Sequence, residues 1–146
     1  MYVPFQKSLT ILICLISISY GYSQQKIIQQ WEAKGNPVVT HKYTCDPAAM
    51  VHNDTLFIFT GEDSTGGQRW YNIKNWCCFA TTDMKNFVEY DIPMYAKDFE
   101  WNTGEFAYAG HVIERNGKFY WYVSTNTSGI GVAVADRPEG PYKDAL

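Results

Sequence analysis

The sequence predicts an all-β fold built from repeated units of about four strands. Of its 146 residues, 46% are hydrophobic and 16% are aromatic, with 11 Tyr, 8 Phe and 5 Trp. Aromatic side chains favour pleated, half-buried strands. After residue 35, short apolar runs bounded by turn residues replace any helical periodicity. The length corresponds to about one ordinary domain.

The charge balance excludes nucleic-acid binding. The chain carries 15 acidic and 12 basic side chains, for a formal net charge of −3, and its Lys and Arg residues form no cluster. An electrostatic grip on phosphates or anionic lipid requires a basic patch. We therefore expect no nucleic-acid partner.

Residues 1–23 have the pattern of a signal peptide. Lys7 precedes an apolar run over residues 9–20, which is shorter than the roughly 20 residues that span a bilayer but suits a signal-peptide core. Gly21 and Ser23 are small residues placed for cleavage after Ser23. A buried N-terminal helix is the alternative. We expect export to a periplasmic or extracellular space, with no membrane insertion after cleavage.

Three cysteines remain after such a cleavage. Neighbouring Cys77 and Cys78 would point to opposite faces of a strand. At most one disulfide is then possible, between Cys45 and one of the pair. Buried free thiols are the alternative.

The sequence after residue 23 predicts a short lead-in segment followed by strands. Residues 24–34 predict a short amphipathic helix, within a lead-in segment that ends at Gly35. Asn116-Gly117 is a strong signal for a two-residue hairpin turn. The expected strands cover residues 56–60, 76–82, 87–92, 119–124 and 130–135.

These runs repeat along the chain. Residues 50–59 match residues 113–122 in pattern, and residues 78–83 match residues 131–136. Repeated four-stranded units are typical of β-propeller blades, and a β-sandwich is the alternative. Propellers take about 4–8 blades, whereas residues 24–146 hold about two. We therefore expect the N-terminal part of a longer protein.

Asp46 is the first candidate for chemistry. It is followed by Pro47 and two alanines, just ahead of the first long apolar strand. Because the first strand of each blade lines the channel of a propeller, Asp46 is expected at a shared pocket. Sugar hydrolysis requires two carboxyl groups. A turn-capping Asp is the alternative.

The motifs together resemble glycoside hydrolase family 43. Residues 36–39 (Asn-Pro-Val-Val), Asp46-Pro47-Ala48 and the aromatic strand that follows resemble the first blade of that family, and residues 80–87, 112–122 and 131–142 follow in the same order. The resemblance covers residues 36–146. It implies the first two blades of a five-bladed β-propeller. It also implies an inverting glycosidase acting on arabinose- or xylose-containing plant polysaccharides.

The resemblance also implies roles for residues. Asp46 matches the general base. The general acid is a Glu from a later blade, and no residue here matches it; Glu62, Glu100 and Glu105 are expected to be loop charges. The family's Trp-Ala-Pro-Asp-Val stands here as residues 108–112, Tyr-Ala-Gly-His-Val, so that His111 occupies the position of the modulating Asp.

His111 leaves two functions open. It could orient a carboxyl group or bind a hydroxyl, or it could only pack against a neighbour. Loss of the modulating Asp makes a non-catalytic carbohydrate-binding propeller the alternative function.

Aromatic residues supply candidate sugar contacts, although blade packing is the alternative for each. Phe106 and Tyr108 are the substrate-binding candidates. His41, His52 and His111 lack metal-ligand spacing, so no metal site and no cofactor are expected. A structural calcium ion occurs in the family, but no residue here identifies its ligands. The wider aromatic set comprises Trp70, Tyr71, Trp76 and Trp101.

Overall fold

The computed structural model describes residues 24–64, 72–103, 106–125 and 129–146. Nearly all regular structure in these ranges is β-strand, which confirms the all-β prediction. The signal-peptide prediction and the predictions for Trp70, Tyr71 and Glu105 lie outside the described residues. The strands are β1 (Ile27–Glu32), β2 (Thr44–His52), β3 (Thr55–Asp63), β4 (Ile73–Thr81), β5 (Asn86–Tyr90), β6 (Met94–Tyr95), β7 (Ala107–Arg115), β8 (Lys118–Thr125), β9 (Gly129–Ala135) and β10 (Lys143–Asp144), with a 3-10 turn at Ala96–Asp98.

The strands form two antiparallel sheets. The first has the order β1-β5-β4-β3-β2, with β6 also paired to β4, and the second has the order β10-β9-β8-β7. Each sheet contains a four-stranded meander, as the repeat predicts. Both meanders open with a hairpin whose two turn residues have positive φ, as a type I′ turn requires. These turn residues are Asn53 (48°), Asp54 (57°), Asn116 (55°) and Gly117 (72°).

The predicted helix at residues 24–34 is wrong, because residues 27–32 form β1. This strand pairs with β5, and its Trp31 ring stacks on Phe87 with centroids 5.6 Å apart. The Trp31 indole N–H also donates to the Val38 carbonyl at 2.8 Å. Backbone pairing at the open edge of β5 and partial burial of the Trp31 indole outweigh the local helical spacing.

Aromatic side chains fill the space between the two sheets. Phe59, Trp76 and Trp121 are each 1% exposed. The Phe59 and Trp121 rings lie 4.8 Å apart, and those of Trp76 and Trp121 lie 6.1 Å apart. Each such residue buries about 150–250 Å². This interface is therefore the main hydrophobic contact between the sheets.

The first strand of each meander, β2 in the first sheet and β7 in the second, is an edge strand of its sheet, and we call these two the inner strands. They pack alongside each other in the same direction. Near the strand starts, the Trp76 indole N–H donates to the Tyr108 carbonyl at 2.8 Å. Near the opposite ends, the His52 and Phe119 rings meet at 5.0 Å. The starts of β2, β4 and β7 therefore share one edge of the molecule, which we call the Asp46 edge.

Within the described ranges, the structure contains no helix with the length and apolar character needed to cross a bilayer.

Candidate active site

Asp46 lies inside β2, at a β-bulge. Cys45 pairs with Gly61 and Ala48 pairs with Phe59, so that one extra residue is inserted on β2. Asp46 is exposed and has φ of +50°, a conformation that Asp adopts more readily than most residues. The expected position ahead of the strand is thus corrected to one within it. Bulges re-aim side chains and are common beside active sites.

A matching bulge interrupts the start of β7. Ala107 pairs with Thr125 and Gly110 pairs with Val123, which again leaves one extra residue on the inner strand. Tyr108 lies in this bulge and is half-buried, with its carbonyl held by Trp76. The two inner strands thus carry the same irregularity at the Asp46 edge.

Phe106 and His111 differ in their relation to this edge. Phe106 is half-buried and immediately precedes β7, at the Asp46 edge. His111 lies further along β7, is exposed, and pairs with Tyr122. Its neighbours Gly110 and Val112 face the core, so His111 lies on the face of the second sheet turned away from the first. The roles of both residues remain predictions.

A cluster of ionisable and polar groups secures the chain just ahead of Asp46. We call it the Lys42 cluster. The Lys42 ammonium lies 2.6 Å from Glu89 Oε1 and 3.2 Å from Glu62 Oε2, and His41 Nε2 lies 2.6 Å from Glu89 Oε2. Glu89 is on β5 and its side chain is only 2% exposed. The members of the Lys42 cluster are His41, Lys42, Glu62, Asn75, Cys77 and Glu89.

Further hydrogen bonds complete the Lys42 cluster. The Asn75 side-chain amide donates to Glu62 Oε2 at 2.9 Å, and the Cys77 thiol lies 3.4 Å from the same oxygen. Glu62 therefore belongs to β3 and to a half-buried ion pair, so its prediction as a loop charge is wrong. Nearby, the Asp63 N–H donates to the Tyr43 carbonyl at 3.0 Å. Residues 41–43 are thus held on the strands of the first sheet.

The electrostatics of the cluster favour its charged forms. Burial alone would lower the pKa of Lys42, but the hydrogen bond to Glu89 and the surrounding negative charges outweigh it and raise that pKa. Burial opposes ionisation of Glu62, but the hydrogen bond from Asn75 and the charge of Lys42 lower its pKa overall. The ammonium and the Glu62 carboxylate therefore stabilise each other.

Of the two alternatives for the cysteines, the structure has the free thiols and not the disulfide of Cys45. Cys45, Cys77 and Cys78 are all free thiols. Because β3 lies between β2 and β4, the Cα atoms of Cys45 and Cys77 are separated by two strand spacings, about 9–10 Å, beyond the reach of a disulfide. Burial, together with the charges of Asp46 and Asp63, raises the pKa of Cys45 to about 11.

In the part of the chain that the structure describes, no three His, Cys, Asp or Glu side chains come together to hold a metal ion. Sequence reasoning missed the Lys42 cluster, although Glu89 carried a signal. Glu89 lies two residues after the apolar Phe87 and so shares its face of a strand, where a buried charge requires a partner.

Comparison with known proteins relates the chain to one family of enzymes. The sequence profile described as "Glycosyl hydrolases family 43" matches residues 22–146. The chain is 27% identical over 121 residues to xylosidase/arabinosidase 43A of Humicola insolens, covering 73% of this chain and 36% of that protein. It is 27% identical over 161 aligned residues to an arabinoxylan arabinofuranohydrolase of Bacillus subtilis, covering 94% and 31%. The chain thus spans about a third of the length of these relatives.

Solved structures show the same relationship. A GH43_1 enzyme from Xanthomonas citri, complexed with xylose, has a TM-score of 0.66 and 32% identity, over 77% of this chain and 35% of that one. A β-xylosidase/α-arabinofuranosidase from a compost microbial metagenome has a TM-score of 0.69 and 26% identity, over 80% and 38%.

Proposed function

Because the chain belongs to glycosyl hydrolase family 43, we propose that it is the front part of an exported enzyme that cleaves arabinose- or xylose-containing plant polysaccharides. One observation carries the proposal: Asp46 is exposed on a bulge of the inner strand, at the edge where the second inner strand also begins. The names of the relatives, xylosidases and arabinofuranohydrolases, support the substrate class.

The two sheets are proposed to be the first two blades of a five-bladed propeller. The outer face of the second sheet supports this, because Ile113, Tyr122 and Ile130 are 39%, 42% and 76% exposed there. Clustered exposed apolar side chains indicate a contact surface, which a third sheet would cover. Residues 1–23 would direct export and be removed.

In the proposed mechanism, Asp46 is the general base. Its carboxylate takes a proton from a water molecule as the water oxygen attacks the anomeric carbon. A carboxylic acid about 6.5–9.5 Å away donates a proton to the departing glycosidic oxygen, and the configuration inverts. That acid is assigned to no residue of this chain. Tyr108 and Phe106 would contact the sugar near the Asp46 edge, and His111 would orient a carboxyl group.

Product stereochemistry tests this function. The complete protein is incubated with 4-nitrophenyl arabinofuranoside, 4-nitrophenyl xyloside and xylan oligosaccharides, and the first-formed sugar anomer is followed by proton NMR. We expect hydrolysis with inversion. First-formed product of retained configuration would overturn the base role of Asp46. Oligosaccharide binding without any hydrolysis would instead favour the non-catalytic binding propeller.

A further inference from the structure

A groove that the proposed mechanism does not use opens at the Asp46 edge. It has a volume of about 610 Å³ and lies between the start of β4 and the segment 95–103 that leads toward the second sheet. The side chains around it are Lys74, Asn75, Tyr95, Lys97, Phe99, Glu100, Asn102 and Thr103.

The wall of the groove is held by local hydrogen bonds. The Tyr95 N–H donates to the Asp98 carboxylate at 2.8 Å, and the Asn102 side chain donates to the Ala96 carbonyl at 3.0 Å. Phe99 is 1% exposed and its ring contacts that of Trp76 at 6.4 Å, which anchors the wall in the core. The groove is therefore preformed, and a ligand need not order it.

Strand pairing gives the distance from Asp46. Cys45, next to Asp46, pairs with Gly61 on β3; Gly61 pairs with Trp76 on β4; and the adjacent Asn75 pairs with Tyr95 on β6. Three strand spacings separate β2 from β6, which places Tyr95 about 14 Å from Asp46 along the same edge. A single sugar ring at Asp46 cannot cover that distance, whereas a chain of several sugars can.

The lining of the groove offers both an aromatic ring and hydrogen-bonding groups to a hydroxyl-rich chain. The Lys97 ammonium lies 5.0 Å from the centroid of the Tyr95 ring, so a donor and an aromatic surface line the same wall. The Asn75 amide adds a polar group, and its nitrogen is held by Glu62. Aromatic rings contact the apolar faces of sugars, while amide and ammonium groups hydrogen-bond to their hydroxyls.

We propose that this groove is a distal subsite, which binds a sugar of the polysaccharide several residues away from the bond that is cleaved. The proposal rests on the function proposed above and adds that a sugar distant from the cleaved bond contributes to the binding of long substrates.

The test is substrate-length dependence in the complete protein. Tyr95→Ala and Lys97→Ala are compared with wild type on xylo- and arabino-oligosaccharides from disaccharide to hexasaccharide, and on the single-sugar 4-nitrophenyl glycosides. The matched control is Lys85→Ala, because Lys85 is 64% exposed and lies in the β4–β5 turn at the opposite edge. A groove contact serves ground state and transition state alike, so a raised KM with unchanged kcat is the signature.

We expect Tyr95→Ala to raise KM for the longest oligosaccharides about tenfold, as loss of about 1.4 kcal/mol of binding requires. Lys97→Ala should have a smaller effect in the same direction, and Lys85→Ala none. Hydrolysis of single-sugar glycosides should stay unchanged in all three variants. Equal losses on long and short substrates, or no loss on either, would overturn the distal subsite.

The experiment distinguishes failure of the proposed function from failure of the distal subsite. If wild type hydrolyses the single-sugar glycosides, the proposed function stands whatever the groove variants show. If it hydrolyses nothing, the proposed function fails, and calorimetric titration with xylohexaose and with arabinohexaose still decides on the groove. Binding of either hexasaccharide that weakens about tenfold in Tyr95→Ala would support the groove. Equal affinity in the two proteins, or no binding to wild type, would reject it.

Discussion

The Lys42 ammonium lies 2.6 Å from Oε1 of Glu89, a carboxylate whose side chain is 2% exposed. This pair joins the segment ahead of β2 to β5, on the far side of the first sheet. Asp46 follows only four residues after Lys42, so the ion pair helps to fix the position of the β2 bulge that carries the proposed base.

Removing the charge of Glu89 should destabilise the protein strongly. Glu89→Gln leaves the half-buried Lys42 ammonium with Glu62 as its remaining carboxylate partner, and breaking a pair whose carboxylate is buried costs up to about 3–5 kcal/mol. The matched control is Glu32→Gln, which removes an exposed carboxylate paired with Lys85 at 3.0 Å and should cost less than about 1 kcal/mol. Urea unfolding of the complete protein measures both. Equal effects of the two substitutions would show that the Lys42 cluster does not act as a buried ion pair.

Acid should weaken the same cluster. Because the pKa of Glu62 is lower in the folded state, its stabilising contribution is present above its unfolded pKa of about 4.5 and is lost as the pH falls through the lower folded pKa. The pKa of Lys42 is raised in the folded state, so its stabilising contribution is present below a pH of about 10.5 and is lost only in strong alkali.

The measurement is the urea midpoint of wild type and Glu62→Gln from pH 7 down to pH 3. We expect a stability advantage of wild type at pH 7 that shrinks below about pH 4.5. An advantage that stays constant over the whole range would rule out a contribution from Glu62 ionisation.

A side chain added at Gly110 should destabilise the protein. An added Cβ would lie 2.7 Å from the Trp121 indole nitrogen and 2.8 Å from the Tyr122 carbonyl oxygen, and a backbone atom in a paired strand cannot move away cheaply. Gly110→Ala should lower the free energy of unfolding by about 1–3 kcal/mol.

Gly61→Ala provides the comparison for Gly110. Its added Cβ would meet only the side chains of Ile73 and Cys45, at 3.0 Å and 3.1 Å. We expect a smaller loss in thermal denaturation for this variant. A larger loss at Gly61 than at Gly110 would contradict the packing described between β7 and β8.

The thiols should be unreactive and unlinked. With a pKa of about 11, Cys45 forms about two orders of magnitude less thiolate at pH 8 than a free cysteine does. Iodoacetamide labelling of the folded protein, read by mass spectrometry, should therefore modify Cys45 slowly, and all three thiols rapidly after unfolding. A Cys45-linked peptide in a non-reducing digest would contradict the sheet order.

Local signals in the sequence predict much of this fold, and long-range contacts account for what they miss. Asn116-Gly117 and the alternating residues beside it identify the β7–β8 hairpin, because a two-residue turn depends on its own chain neighbours. Local spacing predicts a helix where β1 forms, because it carries no information on the pairing of β1 with β5 near residues 86–90.

In the candidate site, too, local sequence signals predict some features and long-range contacts determine the others. The Asp46-Pro47 motif predicts the candidate base, whereas the position of Asp46 within β2 depends on pairing with β3. Glu89 lies 48 residues from His41, and Tyr95 joins the groove only through its pairing with Asn75. No local pattern brings such residues together.

The central claim, that Asp46 is the general base, is tested most directly by comparing Asp46→Asn with Asp54→Asn in the complete protein. Asp54 is the matched control, because it is an exposed aspartate with φ of +57° in the turn at the other end of β2. Loss of a positioned base costs about 10²–10⁴ in rate. We predict a fall in kcat of that size on 4-nitrophenyl glycosides for Asp46→Asn, unchanged kcat for Asp54→Asn, and the wild-type urea midpoint for both. Wild-type turnover by a folded Asp46→Asn protein would contradict the claim.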